Sequence, residues 1–186
     1  FLGGFLAESA SDFMQAVIMV GVLVVVMILS TVHAGGFGVI IENAKNIDGY
    51  FSLVKTANPS SVDVNVFGAA KPFTFLSIIS TLAWGLGYFG MPQILLRFMG
   101  IREEKELKLS RRVAVIWVVI SMAAAMFIGI AGRSIAGLDY ISNIASENVF
   151  IDSAAKFLPP LLAGLAAAGV LAASVSSSDS YLLISS

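Results

Sequence analysis

The chain has 186 residues, of which 58% are hydrophobic and 12% are charged, with a net charge of −1 and a mean hydropathy of +0.91. So few charges exclude a disordered chain, and so many apolar residues exceed what a soluble domain of this length can bury. A near-neutral chain lacks the basic surface that nucleic acid requires, so we expect no nucleic-acid partner. With no cysteine and a single histidine, thiol chemistry and zinc clusters are excluded. The chain starts at Phe1 rather than Met, and we expect it to be an internal piece of a longer polypeptide.

Four segments of the chain contain no Asp, Glu, Lys or Arg, namely 13–41, 72–96, 113–132 and 157–178. Roughly 20 apolar residues of helix cross a bilayer core, and hydrocarbon permits only helices or closed barrels to span it. The apolar runs lack the alternation of barrel strands. We therefore predict an all-α membrane protein surrounded by a lipid bilayer. The predicted transmembrane helices lie near 10–33, 73–97, 112–132 and 158–184.

The basic residues predict the orientation of these helices. Six of the eleven Lys and Arg residues lie in the short segment 97–112. Because positive charge resists translocation, this segment should face the cytoplasm. The first and third helices then run outward, and the second and fourth run inward. Arg97 closes the second span, where we expect its side chain to reach lipid phosphates.

The connections predicted on the outer side carry structure of their own. Segment 36–55 has apolar residues at helical spacing opposite polar ones, which predicts a short amphipathic helix at the membrane surface. Residues 56–63 indicate a turn-rich loop. Segment 147–157 indicates a second short helix.

The second span contains the sequence Trp-Gly-Leu-Gly-Tyr-Phe-Gly-Met-Pro at 84–92. It matches a dinucleotide-binding pattern literally, but it lies within an apolar span without the strand that such a motif requires. Three glycines followed by proline weaken a helix, as in the interrupted helices with which transporters hold substrates or ions. Trp84, Tyr88 and either Met91 or Pro92 share one face and suit a small organic solute. The alternative is that the glycines serve close helix packing.

The fourth span ends in a serine-rich segment with a carboxylate. Ser176, Asp179 and Ser180 share one helix face by their spacing, and hydroxyl, carboxylate and carbonyl oxygens are the ligands that a hard cation such as Na⁺ prefers. The serines could instead bond between helices, and Asp179 could lie at the cytoplasmic interface. Asp12 is either a second cation-coordinating carboxylate or the capping residue of the first span, since Gln15 follows at capping-box spacing.

Residues 84–99 closely resemble the matching stretch of bacterial, proline-carrying members of the sodium:solute symporter family. The segment 3–7 with Asp12 and Gln15 resembles the family segment that opens the preceding helix, and 171–186 resembles its sodium-site helix. These segments follow one another in the family's order and cover essentially the whole chain.

The resemblance implies part of an inverted-repeat core of five plus five helices that works by alternating access, of which this chain would hold the fifth to eighth helices. It implies Na⁺ as the coupling ion, proline as the substrate, and the plasma membrane of a bacterium as the location. Met91 and Gln93 depart from the commonest pattern and leave the substrate less certain. The core's first helix, which would complete the sodium and substrate sites, lies outside this sequence.

By the same resemblance, the carbonyl of Ala173 and the hydroxyls of Ser176 and Ser177 match the main sodium site. Asp12 matches an aspartate of sodium coupling or of a second sodium site. The positions linked to proline binding are Trp84, Tyr88 and Pro92.

Other functions are compatible with the sequence to different degrees. A sodium-linked sensor could be built on the same fold, since fold does not fix activity, and a symporter could carry another solute. A channel would need a continuous polar lining that these spans lack. An intramembrane enzyme is disfavoured, because the chain contains no recognisable catalytic motif, and we predict no catalytic residue.

Overall fold

The structure, a computed structural model, describes residues 4–60, 66–135 and 143–185. Residue 3, residues 61–63 and residue 186, which belong to segments singled out above, lie outside the described residues. The described chain is mostly helical, with one small hairpin. Its elements are α1 (Gly4–His33), α2 (Phe37–Lys45), β1 (Lys55–Pro59), β2 (Phe67–Pro72), α3 (Phe75–Tyr88), α4 (Pro92–Met99), α5 (Glu104–Gly132), α6 (Asn143–Ser146), α7 (Val149–Phe157) and α8 (Pro160–Ser185).

Three helices have the length and composition needed to cross a membrane: α1, α5 and α8. Many of their large apolar side chains are exposed, including Ile28, Val118 and Leu171. A helix that faces hydrocarbon presents such a surface without cost, because lipid tails are as apolar as the side chains. The long apolar helices therefore suit a membrane protein.

The second predicted span is divided into α3 and α4, of 14 and eight residues. Gly90 and Met91 donate their backbone N–H groups only three residues back, to the carbonyls of Gly87 and Tyr88. Pro92 has no N–H group to continue the helical ladder, so α4 starts anew at this residue. Because this segment is broken, the total of four spans stays a prediction.

Helix α1 packs against α8, α5 and α7. The apolar core, as we call it, consists of Val26, Ile128, Ala154, Leu158 and Ala166, all nearly inaccessible. Small residues let these helices approach closely, which is how helices pack in membranes. At Gly132 the approach is so close that an added Cβ would lie 2.2 Å from a methyl carbon of Val149.

The region between α1 and α3 differs from the predicted one. Helix α2 covers only nine residues of the predicted amphipathic segment, and residues 56–59, predicted as loop, form strand β1 paired antiparallel with β2. The hairpin is fixed by distant contacts: Asp48 accepts the N–H of Ala70 at 2.9 Å, and Gly49, at φ +75°, lies against the Ala70 side chain. The loop prediction was wrong for these residues, because such contacts leave no local pattern.

Tyr50 lies between α2 and β1. Burial raises the pKa of its phenol, and the positive charge of Arg133 opposes this rise. The Arg133 guanidinium also lies 4.3 Å from the centre of the Phe67 ring in the hairpin. This cation–π contact ties the end of α5 to the start of β2.

Candidate functional site

Five polar side chains meet where α1, α4 and α8 converge, and we call them the carboxylate–serine cluster. Its members are Glu8, Asp12, Arg97, Ser176 and Ser180. The two carboxylates are four residues apart on α1, and the two serines are four residues apart on α8. That spacing puts each pair on one helix face, and the packing of α1 on α8 brings the two faces together.

Each serine donates a hydrogen bond to one carboxylate. The Ser176 hydroxyl donates to Asp12 Oδ1 at 2.6 Å, and the Ser180 hydroxyl donates to Glu8 Oε1 at 2.6 Å. Hydrogen bonds to ionised acceptors are about twice as strong as neutral ones. The serines therefore join α8 to α1 at this end of the bundle.

Arg97 brings α4 into the cluster. Its Nη2 contacts Asp12 Oδ2, donates to Ser180 Oγ at 3.2 Å and lies 3.5 Å from Glu8 Oε1. The prediction that Arg97 reaches lipid phosphates is therefore corrected. Two largely buried carboxylates attract the guanidinium more strongly than a water-exposed interface does, because their charges are poorly screened.

The cluster carries an excess of negative charge in a poorly hydrated place. The exposed fractions are 9% for the Glu8 side chain and 15% for that of Asp12, against 53% for Arg97. Two carboxylates and one guanidinium sum to −1, and a buried charge is stable only when it is paired. In the described part of the chain, Glu8 Oε2 and the neighbouring Gln15 Oε1 are buried without a hydrogen-bond partner. Surplus oxygen acceptors with surplus negative charge suit a hard cation.

The structure places Asp12 well inside α1, which begins at Gly4. The alternative that Asp12 caps the first span is therefore wrong. Ser176 and Ser180 join the cluster beside it, whereas Asp179 is exposed on α8 outside the cluster. Of the three residues predicted to share a face of the last helix, two line the contact with α1.

Ala173 and Ser177 lie within one turn of Ser176 but are not part of the cluster. The exposed Ser177 hydroxyl donates to the Ala173 carbonyl at 3.1 Å. This bond within the helix keeps a hydroxyl and a carbonyl oxygen side by side on α8. The two atoms therefore form a second oxygen pair, adjacent to the cluster along the helix.

Trp84 and Tyr88 form an aromatic pair on α3. Their rings stack with centroids 5.5 Å apart and an interplanar angle of 21°, and both side chains are exposed. Pro92, also exposed, begins α4 five residues before Arg97. The broken segment therefore links the aromatic pair to the carboxylate–serine cluster through α4.

A cavity of about 290 Å³ lies between α1, α5, α7 and α8, beside Ala173. Its lining is almost wholly apolar, and the Ser121 hydroxyl in its wall already donates to the Trp117 carbonyl. A zwitterion would lose its hydration there without replacement. The cavity therefore does not match an amino-acid substrate.

Glu8 is the cluster residue that the sequence analysis missed. It precedes the predicted start of the first span at residue 10, whereas α1 begins at Gly4. The available signal was the pairing of two i, i+4 motifs, the carboxylates of one helix and the serines of another. That signal required knowing that the two helices are neighbours.

Comparison with known proteins gives a family match over the whole chain. Residues 1–186 match the profile described as "Sodium:solute symporter family". The chain is 35% identical over 184 residues to the high-affinity proline transporter PutP of Bacillus subtilis, which covers 99% of this chain and 36% of that protein. It is 36% identical over 182 residues to the osmoregulated proline transporter OpuE of the same organism, covering 98% of this chain and 34% of OpuE.

A third relative is the sodium/proline symporter of Staphylococcus aureus, which is 34% identical over 186 residues, covering all of this chain and 33% of that protein. The chain thus spans about a third of the length of these curated relatives. All three are named as transporters or symporters and none as an enzyme. No solved structure matches the chain.

Proposed function

The chain belongs to the sodium:solute symporter family, and from this premise we propose that it serves sodium-coupled transport of L-proline by alternating access in a bacterial plasma membrane. The observation that carries the proposal is the carboxylate–serine cluster. A net negative charge and an unpaired buried oxygen in an apolar bundle give a monovalent cation a reason to bind.

In this proposal, Asp12 and Ser176 are ligands of the transported sodium, with Ser180 at the edge of the same site. Their oxygens already lie together, and a serine that donates its hydrogen keeps lone pairs for a cation. The Ala173 carbonyl and the Ser177 hydroxyl, together with the Ser176 hydroxyl that borders both positions, form the neighbouring, main sodium position. Asp179, exposed one turn further on, supplies negative charge at the entrance to the sites.

The substrate in this proposal binds beside the broken segment. Proline carries a secondary ammonium group, which the face of Trp84 attracts, and an apolar ring, which stacks on aromatic side chains. The stacked Trp84 and Tyr88 offer such a wall. Pro92 ends the interruption and begins α4, and the positive end of this helix's dipole favours the carboxylate of the substrate. The names of the relatives, each of which mentions proline, support this choice of substrate.

Coupling requires that the ion and the substrate favour the same conformation. A ligand shifts a conformational equilibrium only by its difference in affinity for the two states. Sodium at Asp12 would change the contact between Asp12 and Arg97, which lies on α4. Helix α4 follows directly on the break after α3, the helix that carries Trp84 and Tyr88. Sodium binding and proline binding would thereby raise each other's affinity by the same factor.

The direct test is uptake of labelled proline by proteoliposomes that contain the complete polypeptide. We expect an inward sodium gradient to drive accumulation and a potassium gradient of equal ionic strength to leave it near background. Uptake that is unchanged when sodium is removed would contradict the proposal.

Serine variants test the assignment of the ion ligands. Ser176→Ala and Ser177→Ala should each raise the sodium concentration for half-maximal uptake by about tenfold, the effect of one lost interaction with a charged group. Ser178→Ala is the matched control, because its exposed hydroxyl makes the same kind of bond within α8 as that of Ser177, to the Ser174 carbonyl, but is assigned to neither sodium position. If Ser178→Ala has the same effect as the other two, the assignment fails.

A further inference from the structure

The two carboxylates of the cluster are not equally satisfied. Both oxygens of Asp12 are occupied, Oδ1 by the Ser176 hydroxyl and Oδ2 by Arg97. Glu8 has Ser180 and the more distant Arg97 on Oε1, while its Oε2 is buried without a partner. The Glu8 side chain is only 9% exposed, so water does not readily reach this oxygen.

Arg97 occupies the place that a cation bound to Asp12 would take. A guanidinium and a sodium ion cannot both contact Asp12 Oδ2 closely, since the two positive charges would repel each other. Ion binding therefore displaces Arg97, which then needs another anion nearby. Glu8 Oε1 is 3.5 Å from the same nitrogen, and the vacant Oε2 offers the second oxygen of a bidentate pair.

We propose that Glu8 is the carboxylate that holds Arg97 when a cation occupies Asp12. This rests on the proposed function, because it requires a cation to be transported through the cluster. Glu8 acts as a positioning residue: it keeps α4 attached to α1 while the ion exchanges with Arg97. The charges support the exchange, since the cluster changes from −1 to neutral when one monovalent cation enters.

Among the charged groups near Glu8, only that of Arg97 has the opposite charge and lies within reach in the described part of the chain. Asp12 is its neighbour on α1, and α8 presents the uncharged hydroxyl of Ser180 while Asp179 is exposed. The charged side chains at the start of α5 are exposed as well. Within the described residues, the ion pair that Glu8 makes is with Arg97.

The decisive variant is Glu8→Asp, which keeps the negative charge and shortens the side chain by one methylene. It preserves the electrostatic attraction for sodium but removes the reach to Arg97. We measure sodium-dependent thermal stabilisation of the complete purified polypeptide, with potassium as reference, which reports binding without requiring transport. Glu8→Asp should raise the sodium concentration for half-maximal stabilisation by about tenfold, the effect of one charged hydrogen bond.

A double-mutant cycle with Arg97→Gln separates this role from direct ion binding. Without Arg97 there is nothing for Glu8 to hold, so Glu8→Asp should then change the sodium requirement by less than about twofold. An equal increase in both backgrounds would show that Glu8 binds the ion itself, and would overturn the inference. Glu103→Asp, at an exposed glutamate before α5, is the matched control, because it shortens a side chain by the same methylene and keeps the charge.

If Arg97→Gln does not fold, the comparison of Glu8→Asp with Glu8→Gln decides. Glu8→Asp loses the reach to Arg97 and Glu8→Gln loses the charge that holds it, so both should raise the sodium requirement. A Glu8→Asp protein that behaves as wild type would overturn the inference. A wild-type protein that sodium does not stabilise beyond potassium would overturn the proposed function as well. If sodium stabilises the wild-type protein but the effects of Glu8→Asp and Arg97→Gln are additive, only the role of Glu8 is overturned and the proposed function stands.

Discussion

Helix α1 takes part in two contacts of opposite character. Near its start, Glu8 and Asp12 meet α4 and α8 through charges and hydrogen bonds. About 21 Å further along, at 1.5 Å per residue, Val26 packs into the apolar core against α5, α7 and α8. One helix is therefore held by ionic contacts and hydrogen bonds at one end and by close apolar packing at the other.

Under the proposed function, the difference separates the part of the bundle that responds to an ion from the part that does not. Apolar packing is fixed by shape and does not depend on the ions present. A charge pair can be exchanged whenever another cation competes for the same carboxylate. We therefore expect substitutions in the cluster to change sodium dependence, and substitutions that disturb the packing of the core to change stability without changing sodium dependence.

The largest effect is expected at the ionic end, for Asp12→Asn. Asparagine keeps the shape and can still bond to Ser176, but it removes the negative charge that attracts sodium. The sodium concentration for half-maximal proline uptake should rise by about 100-fold, as expected for loss of a close charge pair. Asp152→Asn on α7 is the control. If Asp12→Asn and the control have the same sodium dependence, the claim that the ionic end attracts sodium is contradicted.

The core end should show the opposite result in Gly132→Ala. The added Cβ would meet Val149 at 2.2 Å, and overpacking of this kind costs about 1–3 kcal/mol. Gly129→Ala on the same helix is the matched control, because its Cβ would meet nothing within 4 Å. Thermal unfolding should show a lower midpoint for Gly132→Ala alone, with unchanged sodium dependence. Equal midpoints for the two variants would refute the packing account.

The smallest effect is expected for Ser153→Ala. The Ser153 hydroxyl is fully buried, and within the described residues it has no hydrogen-bond partner. Its removal should change the free energy of unfolding by less than about 1 kcal/mol, or stabilise the protein, because an unsatisfied polar group is lost. Ser180→Ala, which deprives Glu8 of a donor, should cost about 1–3 kcal/mol in the same assay. If Ser153→Ala lowers the free energy of unfolding as much as Ser180→Ala does, the contrast between an unpaired hydroxyl and a paired one is refuted.

The long helices were predictable because charged residues are excluded from apolar spans. Segment 113–132 lies within α5, most of 157–178 lies within α8, and 13–41 lies within α1 up to residue 33. Their starts were less predictable, since charge marks where hydrocarbon begins rather than where a helix begins. Helix α5 starts eight residues before the predicted span for this reason.

The contacts between helices could not be predicted from the spacing of residues within one segment. Ser176 and Ser180 could be placed on one face of a helix, but the helix that faces them could not be identified from their spacing. The carboxylates that pair with Arg97 are those of Asp12 and Glu8, which precede it by 85 and 89 positions in the chain. The hairpin was missed for a similar reason, because Asp48 and Gly49 fix it from outside its strands.

The central claim is that sodium changes the ionic end of the bundle and leaves the core end unchanged. Spin-label distances test it directly, since the chain has no cysteine of its own and labels can be introduced in pairs. One pair joins Ser11 on α1 to Phe98 on α4, and the other joins Val32 on α1 to Ile151 on α7, all exposed positions. In the complete polypeptide, replacing potassium by sodium should shift the mean distance of the first pair only. Identical distances in both salts for the first pair, or equal shifts in both pairs, would contradict the account.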